Sequence, residues 1–356
     1  GMGLSVVIET KAGLTAAITD KSYQEAGANI VKTPDEALKN ADIVLKVRKP
    51  LSSKGSGTNT EDEVKIMKAG AVLICLMEPY SSQELIKTLA NRNIITFSME
   101  LIPRITRAQT MDTLSSQSNL AGYKAVLEAA HVFGRAFPMM MTAAGTVPPA
   151  KCLVMGAGVA GLQAIATARR LGAVVSASDV RPAAKENVES LGASFVAVED
   201  EEFQQAETAG GYAKEMSDEY KQKQAELIAS TVAKQDIVIC TALIPGRPAP
   251  VLVSAEMVKT MRPGSVLVDL AAEQGGNCPL SVPDKTIIKN GVSIIGQTNL
   301  ASAVAIDASI LFAKNLLSFA SLMINQEDNQ LVIDIADEII KESLLTKNGE
   351  VIQTFT

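Results

Sequence analysis

Apolar and polar positions alternate along the chain in short blocks. Aliphatic and β-branched runs at Leu4 to Ile8, Asn29 to Val31, Ile43 to Val47, Ala71 to Leu76 and Ile94 to Ser98 predict strands. Polar-faced stretches between them, Ser22 to Ala26, Thr33 to Lys39, Thr60 to Met67 and Ser82 to Ala90, predict helices. Strands alternating with helices predict parallel α/β units, because a parallel neighbour is reached only through a crossover connection. The segment from Leu51 to Thr60 is Gly/Ser-rich and polar, which predicts a surface loop.

A second block repeats the alternation. Residues Ser118 to Phe137 predict one long helix ending near Pro138, and the small residues Ala143 to Pro149 predict a linker. Strands follow at Lys151 to Met155, Ala173 to Ser178, Phe195 to Val198, Ile237 to Thr241, Ser265 to Asp269 and Ser293 to Gly296, with helices at Gly158 to Leu171 and Ala183 to Leu191. Glu199 to Glu226 is acid-rich and carries Gly210-Gly211-Tyr212 between predicted helices. Ile306 to Met323 is a strongly apolar helix, and the tail adds one amphipathic helix of a kind that returns to the first domain. The expected fold is α/β: two Rossmann-like domains, residues 1–117 plus 306–356 and residues 118–305, with helix-flanked parallel sheets and a cleft between them.

Composition narrows the partners. At 356 residues and 47% apolar, the chain has material for two hydrophobic cores. Its net charge is −6, without a lysine or arginine block, which argues against nucleic acid and anionic lipid as partners. No uninterrupted apolar run approaches the roughly 20 residues of a membrane span, so direct insertion is not expected. The start lacks a basic segment followed by an apolar run, which predicts a cytoplasmic chain. Cys75, Cys152, Cys240 and Cys278 are scattered without a CxxC pair, and His131 is the single histidine. No metal site is expected, and the cysteines fit a reduced core.

The sharpest chemical signal follows the Lys151 to Met155 strand. Gly156-Ala157-Gly158-Val159-Ala160-Gly161 leads directly into a helix, the context a dinucleotide site requires. Gly156 allows the tight turn, Gly158 allows pyrophosphate close to backbone amides, and Gly161 allows helix and strand to pack. The helix start supplies N–H groups and the positive dipole end. Eighteen residues after Gly161 stands Asp179, placed to accept hydrogen bonds from the adenosine ribose and to repel a 2′-phosphate. That favours NAD(H) over NADP(H), with Arg181 as a moderating neighbour. A capping aspartate in a non-binding domain is the bland alternative, and the full strand–turn–helix–strand–acid pattern weighs against it.

A second cluster runs through Pro103-Arg104-Ile105-Thr106-Arg107-Ala108-Gln109-Thr110-Met111-Asp112 and on to Ser115-Ser116-Gln117-Ser118-Asn119. Its polar groups suit an amide, a ribose or a phosphate. By composition alone a solvated connection with helix caps fits equally well.

These two clusters, with Thr142 to Ala150, Gly210 to Met216, Thr241 to Gly246 and Asp269 to Cys278, together resemble one family. It is the NAD(H)-binding alpha subunit of proton-translocating NAD(P) transhydrogenase, which is related to alanine dehydrogenase. The resemblance covers nearly the whole chain. It implies direct hydride transfer from NADH to NADP⁺ on a partner subunit, coupled to proton passage through a membrane subunit. It also implies a homodimer held peripherally at the inner membrane by its partners. Arg104, Gln109, Asp112 and Ser115, with Ile105 and Thr106, fall where the family surrounds the nicotinamide and its ribose. Gly211 and Tyr212 fall on its mobile loop, and Val159, Asp179, Val180, Arg181, Gln224 and Leu243 fall where it contacts the rest of NAD. Direct transfer between rings needs no acid or base, so a site almost without histidine fits it.

The chain departs from the family pattern in two places. It lacks the opening strand with Pro-Lys-Glu and the later Arg-Val-Ala segment, and Asn299 to Ala303 lacks the family's proline and arginine. Two other functions compete. An alanine dehydrogenase needs an acid–base group, and its histidine position carries Met77 and Glu78 here. A non-catalytic NAD-binding module is the other.

Overall fold

The computed structural model describes residues 3–51, 62–204, 216–244, 246–325 and 327–355. The chain folds as two compact units, Gly1–Gln117 with Ala305–Thr356, and Ser118–Val304.

In the first unit, β1 (Val7–Glu9) and β2 (Asn29–Val31) pair in parallel as a separate ribbon. The main sheet begins with β3 (Ile43–Arg48), β4 (Val72–Leu76) and β5 (Ile95–Ser98), all parallel. Val72, Leu73, Ile74 and Cys75 are fully buried, as a strand covered on both faces must be. The helix Thr113–Val132 then runs across the division between the units. It starts and ends about five residues earlier than the sequence predicts. Asp112 Oδ1 accepts the Ser115 amide at 2.8 Å and starts it, and Gly134 follows its last turn. His131 lies exposed in that turn.

After that helix the second unit departs from the sequence expectation. The expected linker is a hairpin, β6 (Met140–Thr142) against β7 (Gly145–Val147). Thr142 Oγ1 accepts the Ala144 amide and donates to the Gly145 carbonyl, closing the turn. Then come β8 (Lys151–Met155), β9 (Val174–Ser178), β10 (Ser194–Phe195), β11 (Ile237–Cys240), β12 (Val266–Asp269), β13 (Thr286–Lys289) and β14 (Val292–Ile295). Their order is β10-β9-β8-β11-β12-β14-β13, parallel except for β13 against β14. Strand order reverses between β8 and β11. In doubly wound sheets the crevice outside the carboxyl ends there is where ligands bind.

The chain then returns to the first unit. Helix Ala305–Ala320 buries Phe312, Leu316 and Phe319, and the Phe319 ring meets Phe97 edge-on at 5.4 Å. The helical stretch Leu300–Met323 is, by length and mean hydropathy, apolar enough to cross a membrane. Asp307, Lys314 and Asn315 interrupt it, and its aromatic side packs in a protein core. After helix Glu338–Ser343, β15 (Leu344–Lys347) and β16 (Glu350–Val351) extend the first sheet antiparallel, in the order β16-β15-β5-β4-β3. That sheet is mixed rather than purely parallel. All four cysteines are buried and unpaired by disulfide.

Candidate functional site

The turn after β8 contains three glycines that serve different needs. Gly156 has φ +97°, and its amide donates to the Ser178 carbonyl at 2.8 Å. Its carbonyl accepts from Thr241 Oγ1 at 2.9 Å, which joins the ends of β8 and β11. A Cβ on Gly161 would stand 1.8 Å from the Gly156 carbonyl oxygen, so helix and turn touch through backbone alone. Gly158 is different. Its φ of −79° and ψ of −167° suit any residue, and a Cβ there would meet nothing within 4 Å among the described residues. Among the described residues, neither backbone conformation nor packing requires a glycine at that position.

Helix Val159–Arg170 begins at Gly158 without a side-chain cap and without an acid in its first turn. Its first N–H groups therefore have no partner from a capping side chain. An oxyanion is the natural complement of such a start. Val159, Val180 and Leu243 follow β8, β9 and β11, and all three expose their apolar side chains at these carboxyl ends.

Asp179 follows β9 with a side chain only 6% exposed. One oxygen accepts the Ala157 amide at 2.7 Å and Arg181 Nη2 at 3.0 Å. The other accepts the Arg181 amide and Arg181 Nε, both at 2.9 Å. Burial pushes this carboxyl up, but the Arg181 guanidinium and the two amides outweigh burial and hold it below the ordinary 3.8. The carboxylate is thus aimed at the glycine turn, with both its oxygens also bonded by the Arg181 guanidinium. Gln224 accepts the Val198 amide at 2.8 Å, and its Nε2 lies 3.4 Å from Ser178 Oγ. Gly211 and Tyr212 lie outside the described residues.

In the first unit, Gln109, Asp112 and Ser115 line one recess of about 450 Å³ with Lys314 and Asn315. Arg104, Ile105 and Thr106 line a smaller neighbour of about 250 Å³, which Gln109 and Asp112 share. The exposed Arg104 guanidinium makes no hydrogen bond or ion pair among the described residues, whereas Arg107 is held bidentately by Asp337 at 2.8 and 2.6 Å. Asn315 was not a sequence candidate; its signal is an amide on the apolar stripe of Phe312, Leu316 and Phe319. Asn277 is another. It is fully buried and clamps both the amide and the carbonyl of Ala242, beside Leu243, at 3.1 and 2.9 Å.

At the end of β4, Met77 is fully buried. The next residue, Glu78, accepts Lys49 Nζ at 2.5 Å and gives its amide to Glu100 at 2.7 Å. Nothing at Met77 or Glu78 supplies the imidazole of the dehydrogenase pattern.

Strand order, glycine turn and the aspartate after β9 together define a Rossmann-type fold. Residues 1–121 match the family "Alanine dehydrogenase/PNT, N-terminal domain", and residues 125–354 match "Alanine dehydrogenase/PNT, C-terminal domain". The chain belongs to the alanine dehydrogenase/PNT family. It is 55% identical to the first part of the NAD(P) transhydrogenase subunit alpha of Rhodospirillum rubrum, over 99% of this chain and 91% of that one. It is also similar to the crystal structure of transhydrogenase from Sinorhizobium meliloti, with a TM-score of 0.87 and 52% identity over 98% of this chain and 92% of that one. Similarity to the alanine dehydrogenase of Methanococcus maripaludis is lower, 31% over 98% of this chain and 86% of that one.

Proposed function

We propose that this chain is the NAD(H)-binding alpha subunit of a proton-translocating NAD(P) transhydrogenase, working as a homodimer with NADP(H)-binding and membrane subunits and held peripherally at the inner membrane by them. The observation that carries the reading is Gly158, a glycine that neither backbone conformation nor packing requires. Only something approaching from outside makes a missing side chain useful there, and the uncapped helix start beside it selects an anion.

Bound NADH supplies the hydride that passes directly to NADP⁺ on the partner subunit. The chain's own residues bind and orient. Amides of Gly158, Val159 and Gly161, beside the Gly156 turn, receive the pyrophosphate. Asp179 accepts the ribose hydroxyls once the Arg181 guanidinium moves aside, and its charge disfavours a 2′-phosphate. Val159, Val180 and Leu243 give the adenosine apolar walls, and Gln224 completes that side. Arg104, Ile105, Thr106, Gln109, Asp112 and Ser115 hold the nicotinamide and its ribose. A hydride leaves without a separate proton, so a set of amides, hydroxyls, one carboxylate and one guanidinium suffices. Alanine dehydrogenation is disfavoured by the buried Met77 and the ion-paired Glu78.

Calorimetric titration with NADH and NADPH side by side tests the reading. NADH binds and NADPH binds at least about tenfold more weakly, a difference of about 1.4 kcal/mol. Tighter binding of NADPH, or robust NADH formation from alanine and NAD⁺, refutes it.

A further inference from the structure

We propose that Asn315 is a positioning residue for hydride transfer, holding the segment Gln109–Ser115 in the conformation that receives the nicotinamide. The inference rests on the function proposed above. Asn315 projects from helix Ala305–Ala320 and is 6% exposed. Its Nδ2 donates to the Thr110 carbonyl at 2.8 Å, and its Oδ1 accepts from Ser116 Oγ at 2.8 Å. One carboxamide therefore joins the residue after Gln109 to the residue after Ser115, across the turn that contains Asp112. Ser116 Oγ also accepts Gln117 Nε2 at 3.2 Å, and the same Nε2 reaches the Ala308 carbonyl, a second tie to the same helix.

The helix cannot rotate to relax these bonds. Phe312, Leu316 and Phe319 fix its azimuth in the core, with Phe319 edge-on to Phe97. An asparagine on this stripe is an expensive choice, since a leucine would bury more apolar surface without needing partners. What the amide adds is geometry. It sets the spacing of Gln109, Asp112 and Ser115 around their shared recess. Displacement of a positioning group by about 1 Å can slow a reaction by about a hundredfold.

The test uses Asn315→Leu, Ser116→Ala and the double variant, in the chain alone and in the complex reassembled with its partner subunits. In Asn315→Leu, kcat for transhydrogenation falls by about tenfold or more. NADH affinity of the chain stays within about twofold, because the pyrophosphate and adenosine contacts are elsewhere, and Tm does not fall. The double variant is as slow as Asn315→Leu, within about twofold, because both changes cut the same tie. An unchanged kcat in Asn315→Leu overturns the proposal. So does a parallel loss of Tm, NADH affinity and kcat, or independent multiplication of the two defects. An unmodified complex that binds NADH and transfers no hydride refutes the underlying function, an outcome distinct from these.

Discussion

Gly158 and Gly161 stand three residues apart and should fail in opposite ways when replaced by alanine. At Gly161 the new methyl begins 1.8 Å from the Gly156 carbonyl oxygen, and an ordinary contact is 3.4 Å or more, so the turn must open by about 1.6 Å. The atom in the way is backbone, so no side-chain rotation absorbs the shift. Overpacking of this kind costs up to about 3 kcal/mol, which lowers Tm by roughly 6–12 °C for a unit of this size. Gly158→Ala meets no atom within 4 Å, and its backbone already lies where alanine is at ease. Stability should hold or rise by about 0.4–1 kcal/mol, through the less flexible unfolded chain. Binding tells the opposite story at this position. The methyl stands where a phosphate oxygen comes up to the amides, and loss of even one charge-assisted hydrogen bond costs about 1.5–3 kcal/mol. That weakens NADH by at least about tenfold. Differential scanning calorimetry and titration calorimetry on the same preparations read both quantities. Gly158→Ala that binds NADH within about twofold of the unmodified chain refutes the assignment of the turn. Gly158→Ala that melts early refutes the claim that the fold does not use this glycine.

Three further outcomes follow from the charged groups. Asp179→Asn narrows the preference for NADH over NADPH by at least about tenfold, since the repelled 2′-phosphate no longer faces a full charge; an unchanged ratio contradicts the role. The Asp179 carboxyl is held below 3.8 in the folded chain, so its charge and stabilising contribution are present above that value and lost as pH falls through the lower folded value. NADH affinity should then be level between about pH 5 and about pH 8, and a tenfold change within that window contradicts a charged Asp179. Arg104→Ala lowers hydride transfer without changing Tm, whereas Arg107→Ala, which loses a half-exposed pair with Asp337, costs at most about 1 kcal/mol of stability and no activity. Equal losses of transfer in both variants, by steady-state assay, contradict the division of labour in that segment.

The legible parts of the sequence are those whose cause is local. The Lys151 to Gly161 stretch contains in adjacent residues the buried strand, the turn and the helix start, and Asp179 follows at a fixed distance down the chain. Boundaries set by one side chain are harder to read. The helix at 113–132 begins early because Asp112 holds the Ser115 amide, a contact that a run of serines and glutamine disguises. Small residues at 143–149 read as a linker because two-residue turns and linkers share a composition, and the hairpin is closed by Thr142. The Leu344–Lys347 strand exists only because β5 offers it an edge; Leu344 lies opposite Phe97, far away in sequence. Tertiary partners of this kind also explain Asn277 and Asn315, whose amides matter through backbone groups that sequence spacing does not connect.

The most direct measurement of the central claim follows the hydride itself. NADH deuterated at the transferring position of nicotinamide C4 is given, with NADP⁺, to the chain reassembled with its NADP(H)-binding and membrane subunits. Direct passage between rings places the deuterium in NADPH, with none released to water and none taken up from it. Deuterium appearing in solvent, or NADH consumed without label reaching NADPH, would show that the chain does not carry out the transfer described above.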